Sequence, residues 1–435
     1  GLVDRVAGCL GLVLLLVTLV SVMAAPVLAA MFAPGFVGDA YKFSLVSEMI
    51  RITFPYLLLI SLTGLSGAIL NSYDRFAVPA FTPVLLNVSL ITAAVIVSPY
   101  FEEPVFALAW GVLAAGVVQL LFQLPFLWRL NLMPQPKLDW QDSGVKRVLA
   151  LMAPAIFGVS VSQINLLLDT VLASLLPTGS VSWLYYSDRL AELPLGVFGI
   201  AIATVILPGL SRQHASASVE KFSATLDWAL RLILLIAIPA AVALVILAEP
   251  ILLALFQYGK TTAADVAMSA LSLRAYALGL VAFMLIKVLA PGYFARQDMK
   301  TPVKIGVIAM ASNMVLNLLF VVPLHMYWQI GHVGLALATA VAAFLNAGLL
   351  WRGLRKQSVY QPLAGWARFA LSLLFANVAM AAVLIGCLAQ AGDFAAMLWW
   401  QRGVGVGMLC VAGLLIYVLV LLASGVRPRH LKPAH

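Results

Sequence analysis

The sequence is poor in charged residues. Asp, Glu, Lys and Arg make up 10% of its 435 residues, whereas 63% are hydrophobic. A typical soluble domain contains roughly a quarter charged residues. Apolar stretches recur along the whole length, and many exceed the ~18 residues that suffice to cross the hydrocarbon core of a membrane. The composition therefore excludes a soluble protein and predicts an all-α polytopic membrane protein.

Cysteine and recognisable catalytic motifs are also scarce. Cys9, Cys387 and Cys410 lie within apolar stretches, and none belongs to a CxxC or Cys/His pair. We expect them to be packing residues, not parts of a disulfide framework or a metal site. The sequence lacks GxSxG, HExxH and Walker-type motifs. We therefore expect that the protein is not an enzyme.

Hydrophobic patterning predicts twelve helices separated by short polar connections. They span about 5–31, 39–71, 78–98, 104–129, 147–176, 180–210, 222–255, 263–291, 301–324, 332–352, 364–390 and 403–424. The longest connection is rich in Pro, Gln and Asp and suggests a boundary between two lobes. The predicted organisation is an N-terminal lobe at 1–130 with four helices, a cytoplasmic linker at 131–146, a C-terminal lobe at 147–352 with six helices, two extra helices within 363–424 and a basic cytoplasmic tail at 425–435.

An internal repeat relates the two lobes. Matching residues at an offset of 224 are Pro26 and Pro250, Phe32 and Phe256, and Gly35 and Gly259. Six helices, an even number, separate the two copies, so we expect pseudo-symmetric lobes that run parallel in the membrane. The second copy has about 75 more residues ahead of its matched proline than the first, and we expect the first lobe to lack two helices.

The net charge of +9 is explained by where the basic residues lie. With Gly1 in the cytoplasm, seventeen Lys and Arg residues fall in cytoplasmic connections, and three fall on the opposite side. This asymmetry follows the positive-inside rule and predicts that both ends of the chain are cytoplasmic. Anionic lipid headgroups account for the basic character, so we expect no nucleic-acid partner.

Charged residues inside membrane helices are functional candidates, because a central Arg is unfavourable by about 2.5 to 3.5 kcal/mol. Arg231, Lys287 and Arg368 lie near cytoplasmic helix ends, where snorkelling explains them. Arg189 is different, because it belongs to a polar stripe next to Asp188. The stripe follows helical spacing through Ser182, Tyr185, Arg189, Glu192, Gly196, Gly199 and Ala203.

Two interpretations of this stripe remain open. Either it lines a cavity and binds an anionic substrate, or Arg189 forms an ion pair with Glu192 or Asp188 that hides its charge. Arg51 and Arg274 occupy equivalent positions in the repeat. They are predicted to line the outer rim of the substrate site, and the alternative is that they hold helices together near the interface.

Amides and hydroxyls suggest a second polar surface. The residues are Gly158, Ser162, Asn165 and Asp169 on the helix before Arg189, and Asn313, Asn317 and Thr339 on two later helices. Oxygen ligands of this kind could hold a sodium ion. Interhelical hydrogen bonding is the commoner role of such residues and stays open as the alternative. We expect no other cofactor.

Several segments together resemble the MurJ (MviN) lipid II flippases, a family of the multidrug/oligosaccharidyl-lipid/polysaccharide exporter superfamily. The segments are Thr53-Phe54-Pro55-Tyr56, Gly67-Ala68-Ile69-Leu70-Asn71, Gly179-Ser180-Val181-Ser182-Trp183, Phe256-Gln257-Tyr258-Gly259-Lys260 and the stretch from Lys287 to Lys304. The resemblance extends over the whole chain.

The resemblance implies two six-helix lobes around a cationic cavity, and two extra helices that form a hydrophobic groove for an undecaprenyl tail. It implies that Arg189 lines the cavity near Ser182 and Glu192, and that sodium binds in some members between the helices of Asp169, Asn313 and Thr339. The expected activity is transfer of lipid II from the cytoplasmic to the periplasmic leaflet of the bacterial inner membrane by alternating access. The expected partners are lipid II and membrane lipids, and we expect a monomer.

Two other functions remain open from the sequence. A related exporter would move another polyprenyl-linked oligosaccharide or a drug, although a transporter of cationic drugs would be expected to centre on carboxylates. A membrane glycosyltransferase would need a sizeable outer loop with catalytic carboxylates or His, and the sequence lacks one.

Overall fold

A computed structural model describes residues 2–216 and 218–426, apart from the side chains of residues 151, 153–155, 157–159, 161 and 162. The basic residues of the predicted tail, Arg427, Arg429 and Lys432, lie outside the described residues, and so do the side-chain surroundings of Gly158 and Ser162. The fold is all-α, as predicted. Spatial proximity groups the chain into two compact units, Gly1–Leu175 and Leu176–His435.

The first unit begins with two helices that are broken by prolines. Its helices are α1 (Leu2–Met23), α2 (Ala25–Phe32), α3 (Ala40–Thr53), α4 (Tyr56–Ser72), α5 (Ala77–Thr92), α6 (Val105–Arg129) and α7 (Ser143–Ser174). The breaks after α1 and α3 lie beside Pro26 and Pro55. Proline has no backbone N–H to donate to the preceding turn, which explains why each apolar stretch divides into two helices.

The second unit contains longer helices. They are α8 (Ser180–Pro194), α9 (Ile200–Ala215), α10 (Val219–Phe256), α11 (Ala263–Phe294), α12 (Lys300–Trp328), α13 (Gly331–Lys356), α14 (Trp366–Gln390) and α15 (Trp399–Ala423). Its buried core is formed mainly by α9, α10, α11 and α13. At Gly279 of α11, an added Cβ would lie 2.8 Å from the Cα of Ala340 on α13. Small residues thus let these two helices pack closely.

Each of the twelve predicted helices has a counterpart among the described residues, with ends displaced by a few residues. Eleven stretches of the described residues are long and apolar enough to cross a membrane. The twelfth predicted span corresponds to α7, which has 32 residues and includes the side chains that are not described. The predicted polytopic fold is therefore confirmed.

The predicted repeat is visible in how corresponding helices pack. Pro79 is the third residue of α5, and Pro302 is the third residue of α12. In the first unit α4 and α5 both pack on α6, and in the second unit α11 and α12 both pack on α13. The same sequence pattern therefore gives the same local arrangement twice.

The linker between α6 and α7 is anchored to the start of α1. The Asp4 carboxylate accepts a hydrogen bond from the backbone N–H of Gln135 at 2.8 Å, and the Asp4 carbonyl accepts one from Lys137 at 3.0 Å. Arg5 pairs with Asp142, which also caps α7. Hydrogen bonds from the backbone N–H groups of Val145 and Gly144, together with Arg5, hold the pKa of the Asp142 carboxyl below its ordinary value.

Grouping by proximity places α7 with the first unit, where it packs against α1, α2 and the turn Pro34–Phe36. The Ser174 hydroxyl at the end of α7 accepts a hydrogen bond from the backbone N–H of Gly35 at 3.2 Å. The lobe boundaries read from the sequence, with α7 in the second lobe, stay a prediction. Cys9 is buried as expected, but Cys387 and Cys410 are exposed on the outward faces of α14 and α15, so packing does not explain them.

Candidate functional site

One face of α8 is fixed against the rest of the second unit. The buried residues of α8 include Trp183, Leu184, Ser187, Ala191 and Pro194. The Ser187 hydroxyl donates to the carbonyl of Ser269 on α11 at 2.7 Å, and Trp183 Nε1 donates to Asp265 Oδ1 at 3.0 Å. Both bonds join α8 to α11, so they fix the rotation of α8 about its own axis.

The opposite face of α8 carries the predicted polar stripe. Its exposed residues are Ser182, Tyr185, Arg189, Glu192 and Gly196. Asp188 lies beside them and is partly buried. The packing of α8 on α11 determines which face is free. The five residues that share a face by their helical spacing are therefore also exposed together.

The stripe ends at a π-helical turn, Leu195–Gly199, directly after Pro194. A π-helical turn holds more residues than an α-helical turn, so the residues beyond it are rotated about the helix axis. Gly199 is buried and Ala203 is half-buried. The exposed part of the stripe therefore ends at Gly196, and the small residues beyond it lie in packed surroundings. Pro194 lacks the N–H needed for the helical ladder, which explains where the turn occurs.

Arg189 is held at the surface of α8 by two neighbours. Its Nη1 lies 2.9 Å from Glu192 Oε2, and its guanidinium carbon lies 5.1 Å from the centre of the Tyr185 ring. The side chains of Arg189 and Glu192 are 56% and 50% exposed. The ion pair therefore does not hide the charge. Exposed pairs contribute about 0 to 1 kcal/mol, so another anion can replace Glu192 at little energetic penalty.

Arg51 and Arg274 each have a carboxylate neighbour. Arg51 Nη1 lies 2.7 Å from Glu48 Oε1 on the same helix. Arg274 lies 3.9 Å from Glu249 on α10 and also donates to the carbonyl of Val245 at 3.3 Å. Arg51 is exposed and Arg274 is about two-fifths exposed. Arg274 thus bridges two helices, whereas Arg51 does not, and their role at a substrate rim stays a prediction.

The predicted sodium ligands of the second unit lie close together. Asn313 Nδ2 lies 3.3 Å from Thr339 Oγ1, and Asn317 Nδ2 lies 3.1 Å from Asn313 Oδ1. Asn313 and Asn317 are buried. Amide and hydroxyl oxygens are suitable ligands for a hard cation. The Asn313–Thr339 bond joins α12 to α13, as the alternative interpretation expects, whereas the Asn317–Asn313 bond lies within α12. Asp169, the fourth predicted ligand, lies on α7 and is partly buried.

A buried carboxylate that the sequence analysis missed organises the segment between α13 and α14. Asp227 of α10 is 1% exposed. Its oxygens accept hydrogen bonds from Tyr360 at 2.8 Å, Trp366 Nε1 at 2.7 Å, the backbone N–H of Leu363 at 3.2 Å and Arg231 Nε at 2.8 Å. Burial and the bond to Asp227 raise the pKa of Tyr360 above its ordinary value, so its hydroxyl keeps the proton that it donates.

Arg231 therefore does not snorkel, and its assignment to snorkelling is wrong. It pairs with Asp227, lies 4.9 Å from the centre of the Trp366 ring and donates to the Ala364 carbonyl at 3.0 Å. The spacing of Asp227 and Arg231, four residues apart on one helix, was a signal for this pair in the sequence.

Arg402 is a second buried charge that the sequence analysis did not single out. It is 8% exposed and donates to the carbonyls of Ala395 at 2.7 Å, Leu253 at 3.3 Å and Gln257 at 3.4 Å. Leu253 and Gln257 belong to the end of α10, whose last carbonyls lack partners within the helix. Arg402 thus fixes the start of α15 against the end of α10.

Two apolar grooves lie on either side of Trp366. The first groove, about 460 Å³, runs between α10 and α14 past residues that include Leu234, Ile238, Val242, Phe369, Leu373 and Ala381. The second groove, about 560 Å³, lies among α10, α11, α13 and the segment before α14, past residues that include Leu230, Leu285, Phe344, Gly348, Trp351 and Tyr360. Trp366 and Leu234 border both.

The sequence model of the family described as "Lipid II flippase MurJ" matches residues 1–399 of the chain. The chain belongs to the MurJ lipid II flippase family. It is 48% identical over 443 aligned positions to the "Probable lipid II flippase MurJ" of Vibrio cholerae, covering 100% of this chain and 83% of that protein. It is 45% identical to the "Lipid II flippase MurJ" of Burkholderia cenocepacia, covering 89% of this chain and 74% of that protein.

Solved structures support the same fold. The structure described as "Lipid II flippase MurJ, inward closed conformation" superposes with a TM-score of 0.77 at 23% identity, over 96% of this chain and 82% of that one. An inward-facing transporter of the multidrug-resistance MATE family superposes with a TM-score of 0.68 at 17% identity, over 82% of this chain and 81% of that one. The resemblance to MurJ flippases that the sequence suggested is thus confirmed.

Proposed function

We propose that the protein is a lipid II flippase, which moves the undecaprenyl-diphosphate-linked muropeptide from the cytoplasmic to the periplasmic leaflet by alternating access. Membership of the MurJ family supports this proposal. The observation that carries it is the exposed Arg189 on a face of α8 whose opposite side is fixed by packing. A charged side chain is positioned there, at the surface of a membrane helix, without being buried in an internal ion pair.

Arg189 provides the attraction for the diphosphate. A guanidinium can donate two parallel hydrogen bonds to phosphate oxygens, and it remains charged at any physiological pH. The Tyr185 ring lies beside the guanidinium, while Glu192 accepts a hydrogen bond from its Nη1. We propose that the diphosphate replaces Glu192, and that Glu192 and Asp188 weaken anion binding enough for the substrate to leave.

The hydrocarbon tail takes a separate path. We propose that the first groove, between α10 and α14, holds part of the undecaprenyl chain while the headgroup contacts Arg189. The lining of this groove is almost entirely apolar, as a polyprenyl chain requires. This placement involves α14, one of the two extra helices for which the family resemblance implied a tail groove within residues 363–424.

The membrane potential can drive the transfer. The negative interior of the cell repels an anionic headgroup outward, by about 2.3 kcal/mol per charge and 100 mV. Sodium is a second possible source of coupling. We propose that Asn313, Asn317 and Thr339 of the second unit contribute ligands, because their oxygens fit a hard cation. Asp169 stays a predicted ligand. When bound, the ion would supply a positive charge that favours one conformation over the other.

The proposed location is the bacterial inner membrane, with both ends of the chain in the cytoplasm and the protein a monomer. The distribution of Lys and Arg supports this orientation, since the basic residues concentrate in the connections that would face the cytoplasm. The proposed activity is transport, and the chain needs no catalytic group for it.

Growth of cells depleted of their own lipid II flippase tests the proposal. Expression of the complete protein should restore growth, and Arg189→Ala in the complete protein should abolish the rescue at an unchanged level of protein in the membrane. The matched control is Arg212→Ala, which removes an exposed arginine from the last turn of α9 and should leave the rescue intact. Normal growth with Arg189→Ala would contradict the proposal.

A further inference from the structure

Trp366 is the side chain at which the two apolar grooves meet. It is the first residue of α14 and borders both grooves. The first groove follows α14 from Trp366 to Ala381, which at 1.5 Å per residue is about 22 Å. The second groove begins on the other side of the indole. The indole, together with Leu234, therefore forms the boundary between the two grooves.

The indole ring is held in place from two directions. Its Nε1 donates to Asp227 Oδ1 at 2.7 Å, and the Arg231 guanidinium lies 4.9 Å from the ring centre. Asp227 is buried, so a rotation of the indole would leave a buried carboxylate with one donor fewer and would remove the ring from the cation. Arg231 also donates to the carbonyl of Ala364, two residues before Trp366. The ring is thus a fixed wall.

We infer that Trp366 is a partition that sets how much of a hydrocarbon chain the protein accepts, with Asp227 and Arg231 as positioning residues. This inference rests on the proposed function, because the occupant is the polyprenyl tail of the substrate. With the indole in place, the tail follows the first groove and the rest of a longer tail stays in the lipid. Without the indole, the tail continues into the second groove.

The chemistry of the two grooves fits one continuous hydrocarbon occupant. The volumes of about 460 and 560 Å³ lie within the ~300 to 1,000 Å³ of typical ligand pockets. Their walls consist mostly of aliphatic and aromatic side chains. Lipid is as apolar as these walls, so a chain enters for its packing contacts and not to escape water. Each additional stretch of groove should therefore add only a modest factor to the affinity.

Binding of prenyl diphosphates of different lengths tests the partition. The full chain is reconstituted in lipid nanodiscs, and dissociation constants are measured for farnesyl, heptaprenyl and undecaprenyl diphosphate. In the wild type, affinity should rise from farnesyl to heptaprenyl and then change by less than about twofold, because the first groove is already filled. In Trp366→Ala, affinity should rise by a further factor of about five from heptaprenyl to undecaprenyl, because the second groove becomes available.

Gly348 offers a matched way to close the second groove. Of the two grooves it lines only the second, and apart from the adjacent backbone of its own helix no atom lies within 4 Å of the position that its Cβ would take. Gly348→Leu should leave the wild-type length profile unchanged and should remove the additional gain from Trp366→Ala in the double variant. Trp366→Phe keeps an apolar ring but loses the donor to Asp227, and it should give an intermediate profile. This second variant keeps the test usable if Trp366→Ala fails to fold.

The results distinguish a failure of the proposed function from a failure of the Trp366 partition. If the wild type binds none of the diphosphates more tightly than the uncharged prenols, the proposed function fails. If the wild type binds them but Trp366→Ala and Trp366→Phe change all three affinities by the same factor, the partition is refuted alone. A gain in Trp366→Ala that survives Gly348→Leu would also refute it, since the second groove would then not hold the tail.

Discussion

Removing the carboxylate of Asp227 should destabilise the second unit more than any exposed substitution. Asp227 is 1% exposed and accepts hydrogen bonds from Arg231, Tyr360, Trp366 and the backbone of Leu363. Asp227→Ala leaves all four donors without this acceptor. Two of them, Tyr360 and Leu363, lie in the segment before α14, and Trp366 is the first residue of α14, so three of the four donors help to attach this region to α10.

The magnitude follows from these contacts. Breaking a buried ion pair by removing one partner typically destabilises by about 3 to 5 kcal/mol. Arg231 is 25% exposed and can turn partly towards water, which reduces the ionic contribution. The buried hydroxyl, indole and backbone donors add about 1 to 3 kcal/mol for each one that stays unpaired. With an ionic contribution reduced to about 2 kcal/mol and one of the three donors left unpaired at about 2 kcal/mol, we expect a loss of about 4 kcal/mol for Asp227→Ala, and about half of that for Asp227→Asn, whose amide oxygen can still accept.

Reversible unfolding in mixed micelles of increasing SDS content measures the effect. The matched control is Glu220→Ala, which removes an exposed carboxylate from the first turn of the same helix and should change the free energy of unfolding by less than about 0.5 kcal/mol. A double-mutant cycle with Arg231→Gln should give a coupling energy of about 2 kcal/mol, because the two side chains form one contact network.

A stability of Asp227→Ala within 0.5 kcal/mol of the wild type, or additive effects in the cycle, would refute this reasoning. Either result would mean that the four donors find other partners or water, and that Asp227 does not hold the segment before α14.

Three further predictions concern other residues. Arg402→Ala should lower the free energy of unfolding by about 2 kcal/mol, because two carbonyls at the C-terminal end of α10 and one in the turn before α15 lose their donor. An unchanged free energy of unfolding in the same assay would contradict the capping role. Arg51→Gln should change stability by less than about 1 kcal/mol, since its pair with Glu48 is exposed; a larger loss would show a contact beyond Glu48. If sodium binds at Asn313, the melting temperature of the wild type should be higher in sodium than in potassium, and that of Asn313→Ala should be the same in both salts. Equal melting temperatures of the wild type in the two salts would reject the sodium site.

The twelve helices could be predicted because each apolar stretch has to match the thickness of a membrane. The polar face of α8 could be predicted as far as Gly196, because spacings of three and four residues place side chains on one face of an α-helix. Beyond that point the residues of the stripe are no longer exposed. The turn at Leu195–Gly199 is π-helical, and an additional residue in one turn leaves no mark in a hydrophobic pattern.

The hydrogen-bond network of Asp227 shows a second limit. The pairing with Arg231 was visible as a spacing of four residues, but Tyr360 and Trp366 lie 133 and 139 positions away from Asp227 in the sequence. No local pattern connects residues at that separation. Arg402 is similar, because its acceptors are backbone carbonyls of α10, and any residue type supplies a carbonyl. The grooves beside Trp366 also depend on how three or four helices pack together.

Whether Arg189 binds the diphosphate is tested most directly by two substitutions on the exposed face of α8, each of which replaces a charged side chain with an uncharged one. Arg189→Gln should weaken binding of undecaprenyl diphosphate about tenfold, which corresponds to one strong charge-assisted contact. Glu192→Gln should leave the affinity unchanged or increase it, because the guanidinium loses a competing anion. Equal weakening by both substitutions, or no change with Arg189→Gln, would contradict the claim that Arg189 binds the diphosphate.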